Sequence, residues 1–343
     1  MESTTIAVDL AKNVFEIAVS RRAGKVSERH RLSRDRFLSF FAQHQPATVL
    51  LEATGSAHHW GRELEKLGHR PVLLAPRAVK SYRQGNKTDR NDAKALLEAS
   101  RNEEIRPVPV KTVAQQTLTS LHRLRSAWMV TRTARINTIR GLLREQGLMI
   151  PLGAKKVVPA VVALLADPDS AVPVALRSVL GEACDEIGEL ETRIKSTERQ
   201  LETLGKGIPA IRHLRSIPGI GLLTATALFA FVGDARRFPT ARHFASYLGL
   251  TPREHSSGNV RRLGRISKRG DAYLRTLLTH GARAVLRAAH VASSPNRLHA
   301  WVLALQERRG HNVAAIALAS KLARIAWSVW RNERAFTAET PIT

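Results

Sequence analysis

Cysteine is almost absent from this sequence. Of 343 residues only Cys184 carries a thiol, so no intrachain disulfide can form and nothing calls for an oxidising compartment. Aromatic residues are sparse at 5%, although 43% apolar residues suffice for real cores. Acids are in short supply: 29 Asp and Glu face 54 Lys and Arg, a formal charge of +25 and a pI near 11.4. Long apolar runs are missing too. The longest charge-free stretch, 217–233, holds Pro218 and three glycines and falls short of the ~20 apolar residues that span a bilayer. The stretch 313–330 is interrupted by Lys321 and Arg324 and reads as a core or interface helix. The first ten residues carry Glu2 and Asp9 and lack a basic region followed by an apolar one. These features exclude an acidic disordered chain, a collagen and a disulfide miniprotein. They predict a soluble, cytoplasmic protein without a membrane partner. A charge of this size seeks a polyanion, nucleic acid first; an anionic membrane would require an amphipathic anchor.

The first hundred residues alternate strand and helix signals. Short apolar runs at 5–10 and 14–20 and a more polar one at 25–32 read as an antiparallel meander with tight connections, one holding Gly24. A helix at 33–43, a strand at 48–52, a helix at 56–67, a strand at 70–74 and a helix at 91–100 follow, giving the order βββαβαβα. From Thr112 the chain turns to long helices, with Thr112 and Gln115 spaced as a capping box and Arg123, Arg132, Arg135, Arg140 and Arg144 making the stretch basic. That surface is either solvated or a phosphate track. Residues 147–158 read as a loop. Leu176, Leu180, Ala183, Ile187, Leu190, Ile194, Thr197, Leu201 and Leu204 then step by fours and threes, a heptad seam stopped by Gly205 and Gly207. A seam of about four heptads favours an intermolecular coiled coil over packing within the chain. Beyond Ile208 the sequence is helical and basic, with a helix–turn–helix pattern at 208–232, helices at 238–248, from about 271, at 296–305 and at 312–330, and a polar loop at 251–269. The domain expectation is 1–110, 111–207 and 208–343.

Four acids stand at element ends. Asp9 ends the first strand and Glu52 the fourth; Asp89 and Asp92, three apart at a helix start, project to one side. In this topology the first and fourth strands are neighbours and the last helix crosses their ends, so the four can meet. Taken singly, each is an ordinary capping or N-terminal acid. Together they repel unless a cation compensates, and hard oxygen ligands suit Mg²⁺ or Mn²⁺. A pair of such ions stabilises both oxygens of an in-line phosphoryl displacement.

In the C-terminal third, Ser216-Ile217-Pro218-Gly219-Ile220-Gly221 has the form of a helix–hairpin–helix turn, in which Gly219 and Gly221 let a phosphate approach backbone N–H groups. Pro-Gly is also simply a turn. Further on, Ser256-Ser257-Gly258 precedes Arg261, Arg262, Arg265, Lys268 and Arg269, with Arg253 just before. A serine alkoxide among cations suits attack on a phosphodiester; a basic loop that only grips DNA has the same composition. No Cys/His spacing suggests zinc; His58 and His59 sit early in a helix, and His255, beside the serines, reads as a surface histidine ahead of one that tunes the nucleophile.

Val8-Asp9-Leu10-Ala11-Lys12, Glu52-Ala53-Thr54-Gly55 and Asn86-Lys87-Thr88-Asp89-Arg90-Asn91-Asp92-Ala93 resemble the three motifs of the DEDD insertion-sequence transposases. The Pro-Gly-Ile-Gly turn and the Gly-Leu-Thr-Pro-Arg, Ser-Gly and Arg-Ile-Ser-Lys-Arg-Gly segments resemble that family's C-terminal transposase domain. The resemblance covers most of the chain. It implies an α/β RuvC-like domain of the ribonuclease H fold, then a helical coiled-coil segment and a mainly α C-terminal domain. It implies that Asp9, Glu52, Asp89 and Asp92 bind metal, that Ser257, with Ser256 adjacent, becomes joined to DNA, and that a homo-oligomer (dimer or tetramer) forms a composite site. A noncoding bridge RNA pairing with donor and target DNA is implied as partner. Lys87 and Arg90, flanking the acids, are placed to hold phosphates. The function expected is a site-specific DNA recombinase moving an insertion sequence. A Holliday-junction-type endonuclease would need the four acids and not Ser257, and a non-catalytic RNA- or DNA-binding protein would need neither.

Overall fold

The computed structural model describes residues 4–22, 25–84, 88–294 and 296–337. The chain divides into two compact units, Met1–Val113 and Ala114–Thr343; the segments 111–207 and 208–343 share the second, apart from its first few residues.

In the first unit, β1 (Thr5–Leu10), β2 (Val14–Ser20), β3 (Glu28–Ser33), β4 (Thr48–Glu52) and β5 (Arg70–Leu74) form one mixed sheet in the order β3-β2-β1-β4-β5. The first three strands are the antiparallel meander, and β4 and β5 lie parallel to β1. Gly24 lies outside the described residues. The third strand starts later than its sequence pattern, because Lys25 makes only a single bridge to Arg22 and the ladder begins at Glu28 opposite Val19. Alternation divides the sheet residues between two cores. Ile6, Val8, Phe15, Ile17, Val49 and Leu51 pack under α1 (Phe37–Ala42) and α2 (Ala57–Lys66), with Phe15, Phe37 and Trp60 meeting edge to face. Ala7, Ala18, Leu50 and Leu74 pack under α4 (Asp89–Ser100) through Ala93, Leu96 and Leu97. A short helix, α3 (Pro76–Lys80), was not legible as an element; Pro76 at its first position presets the helical φ. The five-stranded mixed sheet followed by many helices is compatible with a RuvC-like α/β domain and a helical C-terminus.

The second unit opens with α5 (Val113–Glu145), then α6 (Val157–Ala166), which occupies the end of the expected loop, and α7 (Val174–Lys206). Most of the heptad seam of α7 is covered within the chain: Leu180, Ile187, Leu190, Ile194, Thr197 and Leu201 are buried, as is the adjoining Cys184, Leu176 and Ala183 are half-buried, and Leu204 is 43% exposed. This corrects the expectation of a seam open to a second chain. Its partner is α5, where Gln115, Leu118, His122, Arg125, Met129, Arg132, Ile136, Ile139 and Leu143 alternate by threes and fours and are all buried or half-buried. The periodicity of α5 is masked in the sequence by Arg125 and Arg132 on the seam. Arg125 meets Glu198 at 2.7 Å, Arg132 meets Glu191 at 3.4 Å, and Arg135 grips Glu186 with two N–H groups. The order of these pairs, rising on α5 and falling on α7, makes the two helices antiparallel. At one end Ile136, Ile139 and Leu143 join Leu180, Cys184, Ile187 and the α6 residues Val157 and Val161 in a separate core.

The remaining helices are α8 (Pro209–Arg215), α9 (Leu222–Val232), α10 (Ala241–Tyr247), α11 (Ala272–Val291), α12 (Arg297–Arg309) and α13 (His311–Arg331). Pro239 and the Thr240 cap start α10 later than its pattern suggests; Asp271 and Asn296 cap α11 and α12 as their positions predict. By length and composition α13 could cross a membrane. Here Ala314, Leu318, Leu322, Ala326 and Val329 lie in the core with α9 and α11, as expected of a core helix. The turn at Gly219 presses on α11: a Cβ there would lie 2.7 Å from the Gly281 carbonyl, and one on Gly281 would lie 2.0 Å from the Gly219 carbonyl.

A buried polar chain ties α5 to α9 and α11. His122 Nε2 lies 3.0 Å from Thr226 Oγ1, and Nδ1 lies 3.0 Å from the Tyr273 hydroxyl. Thr226 already donates to the Leu222 carbonyl at 2.7 Å, so Nε2 is the donor and Nδ1 accepts from Tyr273. Burial, and then the charge of Arg125, hold the His122 pKa at about 4 against the ordinary 6.5.

Two outcomes are expected. Between pH 6.5 and 4 the unfolded chain binds a proton that folded His122 refuses, so its contribution is complete above about pH 6.5 and lost as pH falls toward 4. The shift corresponds to about 3 kcal/mol. The stability gap between the natural protein and His122→Gln, by urea unfolding, should be widest at pH 7 and close toward pH 4; a pH-independent gap contradicts the assignment. Arg125→Glu should cost about 1–3 kcal/mol, and adding Glu198→Arg should recover at least half of it at every protein concentration. Recovery confined to concentrations at which chains associate would place the partner of α7 in another chain.

Candidate active site

The candidate site of the first unit follows from strand parity. Val8 pairs with Leu51 across the parallel β1–β4 ladder, so the next positions on the two strands are Asp9 and Glu52. Both have the parity of Ala7 and Leu50 and so belong to the face that α4 covers. Thr88 caps α4, its hydroxyl accepting from the Asn91 N–H at 3.3 Å. Asp89 and Asp92 therefore fall in the first turn, where carboxylates complement the helix dipole. Asp89 is exposed and Asp92 half-buried.

Glu52 and Asp92 line one hollow of about 280 Å³ together with Arg77, Lys80 and Arg83. Arg83 Nη1 sits 3.1 Å from Asp92 Oδ1. Among the described residues, no three His, Cys, Asp or Glu side chains come close enough to hold a metal ion. The structure thus brings Glu52 and Asp92 to one hollow and puts Asp9 at the adjoining strand position, without closing the four acids into one cluster. Mutual repulsion of the carboxylates opposes closure, and Arg83 already offsets the charge of Asp92. In kind, an all-carboxylate set fits a hard divalent cation.

Sequence reading missed Arg77, Lys80 and Arg83, although their spacing by threes directly after β5 is a readable signal. It also missed Arg29 on β3. The Arg29 guanidinium reaches the Arg90 carbonyl at 3.4 Å, and burial, then the charge of Arg90, lower its pKa. Arg90 is exposed in the first turn of α4; Lys87 lies outside the described residues.

The candidate site of the second unit is a hairpin where a loop was expected. β6 (Pro252–Glu254) and β7 (Leu263–Ile266) run antiparallel. The strands escape notice in the sequence because nearly every residue is exposed and no apolar alternation marks them. Pairing continues to the tip, where Ser257 and Val260 exchange N–H···O bonds of 3.3 and 3.2 Å. Gly258 has φ +54° and Asn259 a negative φ, the pattern of a type II′ turn, which asks for glycine at its first central position. A serine directly before this glycine is consequently fixed at the tip of the ladder.

The two serines differ in what they touch. Ser256 donates to Glu254 Oε1 at 2.7 Å and accepts from the Arg262 N–H at 3.2 Å. Glu254 also meets Arg261 at 3.4 Å. That face of the hairpin, with Arg242 and His243 of α10, lines a hollow of about 650 Å³. Ser257 has the opposite parity; it is exposed, and its hydroxyl has no hydrogen bond among the described residues. Arg253 donates to the Ser267 carbonyl at 3.3 Å, while Arg262, Arg265, Lys268 and Arg269 are exposed around the hairpin. Its base is clamped by glycine: a Cβ on Gly270 would lie 2.1 Å from the Tyr247 carbonyl, and one on Gly249 2.8 Å from the Arg269 nitrogen. Beside this crossing Lys268 takes φ +53°, uncommon for a residue with a side chain. In the helix–hairpin–helix turn, Gly219 is used inward against α11, whereas Gly221 is exposed and caps α9.

Comparison with known proteins covers both halves. Residues 6–147 match the DEDD transposase family of the IS110 type, and residues 211–296 match the transposase IS116/IS110/IS902 family. A probable family 20 transposase of Pseudomonas aeruginosa is 44% identical over 98% of this chain and 99% of its own length. The transposase for insertion sequence element IS1111A of Coxiella burnetii is 39% identical over 96% of this chain and 90% of its own. A pilin gene-inverting protein of Moraxella bovis is 30% identical over 44% of this chain and 48% of its own. The DEDD domain carries with it a general dependence on a divalent metal. With both family segments in order and full-length relatives on either side, this chain belongs to the IS110-type DEDD transposases, enzymes that act on DNA to move an insertion sequence.

Proposed function

We propose that this transposase cuts and rejoins DNA through Ser257, with Asp9, Glu52, Asp89 and Asp92 supplying a metal site and a noncoding bridge RNA selecting the sites. The observation that carries the serine assignment is the hairpin tip. Ser257 offers a free, exposed hydroxyl held by a backbone pair, and the neighbouring Ser256 is engaged by Glu254 and the Arg262 N–H.

In the proposed step the Ser257 Oγ forms a bond to a phosphorus of the strand. The bond from that phosphorus to the leaving strand oxygen breaks, the hydroxyl proton passes to a base, and the leaving oxygen takes up a proton. A hydroxyl from another strand then reverses the exchange, so the phosphoester energy is conserved and no external source is needed. Arg253, Arg261, Arg262, Arg265, Lys268 and Arg269 offset charge on the transferring phosphoryl oxygens. The four acids would hold Mg²⁺ or Mn²⁺, which when bound stabilises attacking and leaving oxygens. Lys87, Arg90, Gly219 and Gly221 are assigned to nucleic-acid contacts, and a dimer or tetramer is the proposed working form. A gene-inverting relative supports rejoining as well as cutting, since inversion requires both. A Holliday-junction-type endonuclease remains the reading that loss of the serine chemistry would favour.

Suicide DNA substrates, incubated with RNA-loaded protein, are expected to yield an SDS-stable adduct mapping to Ser257. Ser257→Ala should lose adduct and recombination and keep nucleic-acid binding, while Ser256→Ala keeps part of both. Adduct formation that survives Ser257→Ala and vanishes in Ser256→Ala would shift the nucleophile by one residue; strand exchange in both variants would remove the serine from the mechanism. Separately, Asp9→Asn should abolish cleavage in Mg²⁺ with RNA binding intact, and EDTA should reproduce it. Full cleavage by Asp9→Asn would end the metal assignment.

A further inference from the structure

Residues 234–337 hold nineteen Lys and Arg against five Asp and Glu, so most cations there have no carboxylate to meet. Two of them, Lys321 and Arg324, are half-buried, and the exposed Arg297 and Arg242 stand close enough to act on them. Arg297 and Trp301 lie one turn apart on α12, and Lys321 and Arg324 one turn apart on α13. The Lys321 ammonium stands 4.0 Å over the Trp301 ring, and α13 packs on both α12 and α10, which carries Arg242. Arg324 Nε is buried without a hydrogen-bond partner.

Of the five acids, Asp234 holds Arg236, Glu254 holds Ser256 and Arg261, and Asp271 caps α11. Neither Glu307 nor Glu333 is among the charges that act on Lys321 and Arg324, which respond to other cations. Burial, then Arg324 and Arg297, lower the Lys321 pKa; burial, then Arg242, lower that of Arg324. Arg297 also opens α12, at the positive end of the helix, where an anion is favoured. Such an arrangement raises the energy of the free protein. It is relieved by one kind of ligand, a multivalent anion seated among the four charges. Arg242 also lines the hollow under the serine hairpin, and an anion that meets both is an extended one rather than a single small one.

We propose that Arg242, Arg297, Lys321 and Arg324, with the Trp301 ring beside them, form a second nucleic-acid site of this unit, one that holds the phosphodiester backbone of a DNA or RNA strand. The inference does not rest on serine chemistry, and its test is made in Ser257→Ala protein so that no covalent adduct contributes.

The test compares the triple variant Arg297→Gln/Lys321→Gln/Arg324→Gln with a control of equal charge change, Arg101→Gln/Arg193→Gln/Arg215→Gln. The control cations are already paired with Glu98, Glu189 and Glu202. Binding of fluorescent 20-nucleotide single-stranded DNA, and of the same sequence in RNA, is followed against salt. Three lost phosphate contacts at about 0.7 each should lower the salt slope by about 2 in the triple variant, with an affinity loss of at least about tenfold at low salt. The control should change little. A loss in the DNA arm alone, the RNA arm alone or both supports the site and names its strand. The nucleic-acid-free triple variant should also melt at a higher temperature, since like charges have been removed. A slope change equal to that of the control overturns the proposal. If the triple variant melts lower, the single Lys321→Gln carries the test, with an expected slope change of about 0.7 and the same overturning outcome.

Discussion

The scarcity of carboxylates is the constraint from which much of this molecule follows. With 29 acids against 54 cations, an acid placed anywhere decides which cations are neutralised and which are left to find phosphate. Glu186, Glu191 and Glu198 are placed along α7, where they meet Arg135, Arg132 and Arg125 and let arginines occupy a helix seam. Arg125 keeps only 14% of its side chain exposed. Without Glu198 that charge would be buried alone, which costs far more than a surface pair contributes. Asp9, Glu52, Asp89 and Asp92 are concentrated at one end of the first unit. Few acids are left for 234–337, where nineteen Lys and Arg face five Asp and Glu.

Two backbone devices then give the serine its position. The type II′ turn fixes Ser257 relative to Gly258, and the Gly249–Gly270 crossing fixes the base of the hairpin against α10 and the start of α11. Neither device needs an apolar core, which matters for a hairpin exposed on both faces. Glu254 adds a local anchor, holding Ser256 and Arg261 on one face so that the other presents Ser257. The His122–Tyr273 contact steadies α11 in its first turn. The proposed nucleophile, on a small exposed element, is thus supported by backbone contact and hydrogen bonds where side-chain packing is unavailable.

How much of this was legible in the sequence depends on how far the signal is local. The strands bearing Asp9 and Glu52 were readable because alternation and short turns are local, and register then follows from burial. The Ser-Gly pair raised a chemical expectation but gave no sign of a hairpin, since exposed strands have no apolar period. The α7 seam was readable and its occupant was not. A heptad states that something covers it, and the complementary period on α5 is broken by Arg125 and Arg132, whose partners lie about 60 to 70 residues away. The cation cluster on α10, α12 and α13 leaves no trace in sequence, because Arg242, Arg297, Lys321 and Arg324 share no spacing and become neighbours only through helix packing.

The same residue type therefore does opposite things in the second unit. Along α5, arginine is held by an acid on the facing helix, and the contact is complete in the protein alone. On α12 and α13 arginine and lysine are held against one another, and the arrangement is complete only with an anion. In the first case removal of the cation weakens the fold; in the second it relieves the fold and weakens binding. That opposition is characteristic of sites built for function at some cost in stability. It separates structural from nucleic-acid-facing cations by a physical criterion that net charge cannot supply: whether a carboxylate or another cation stands nearest.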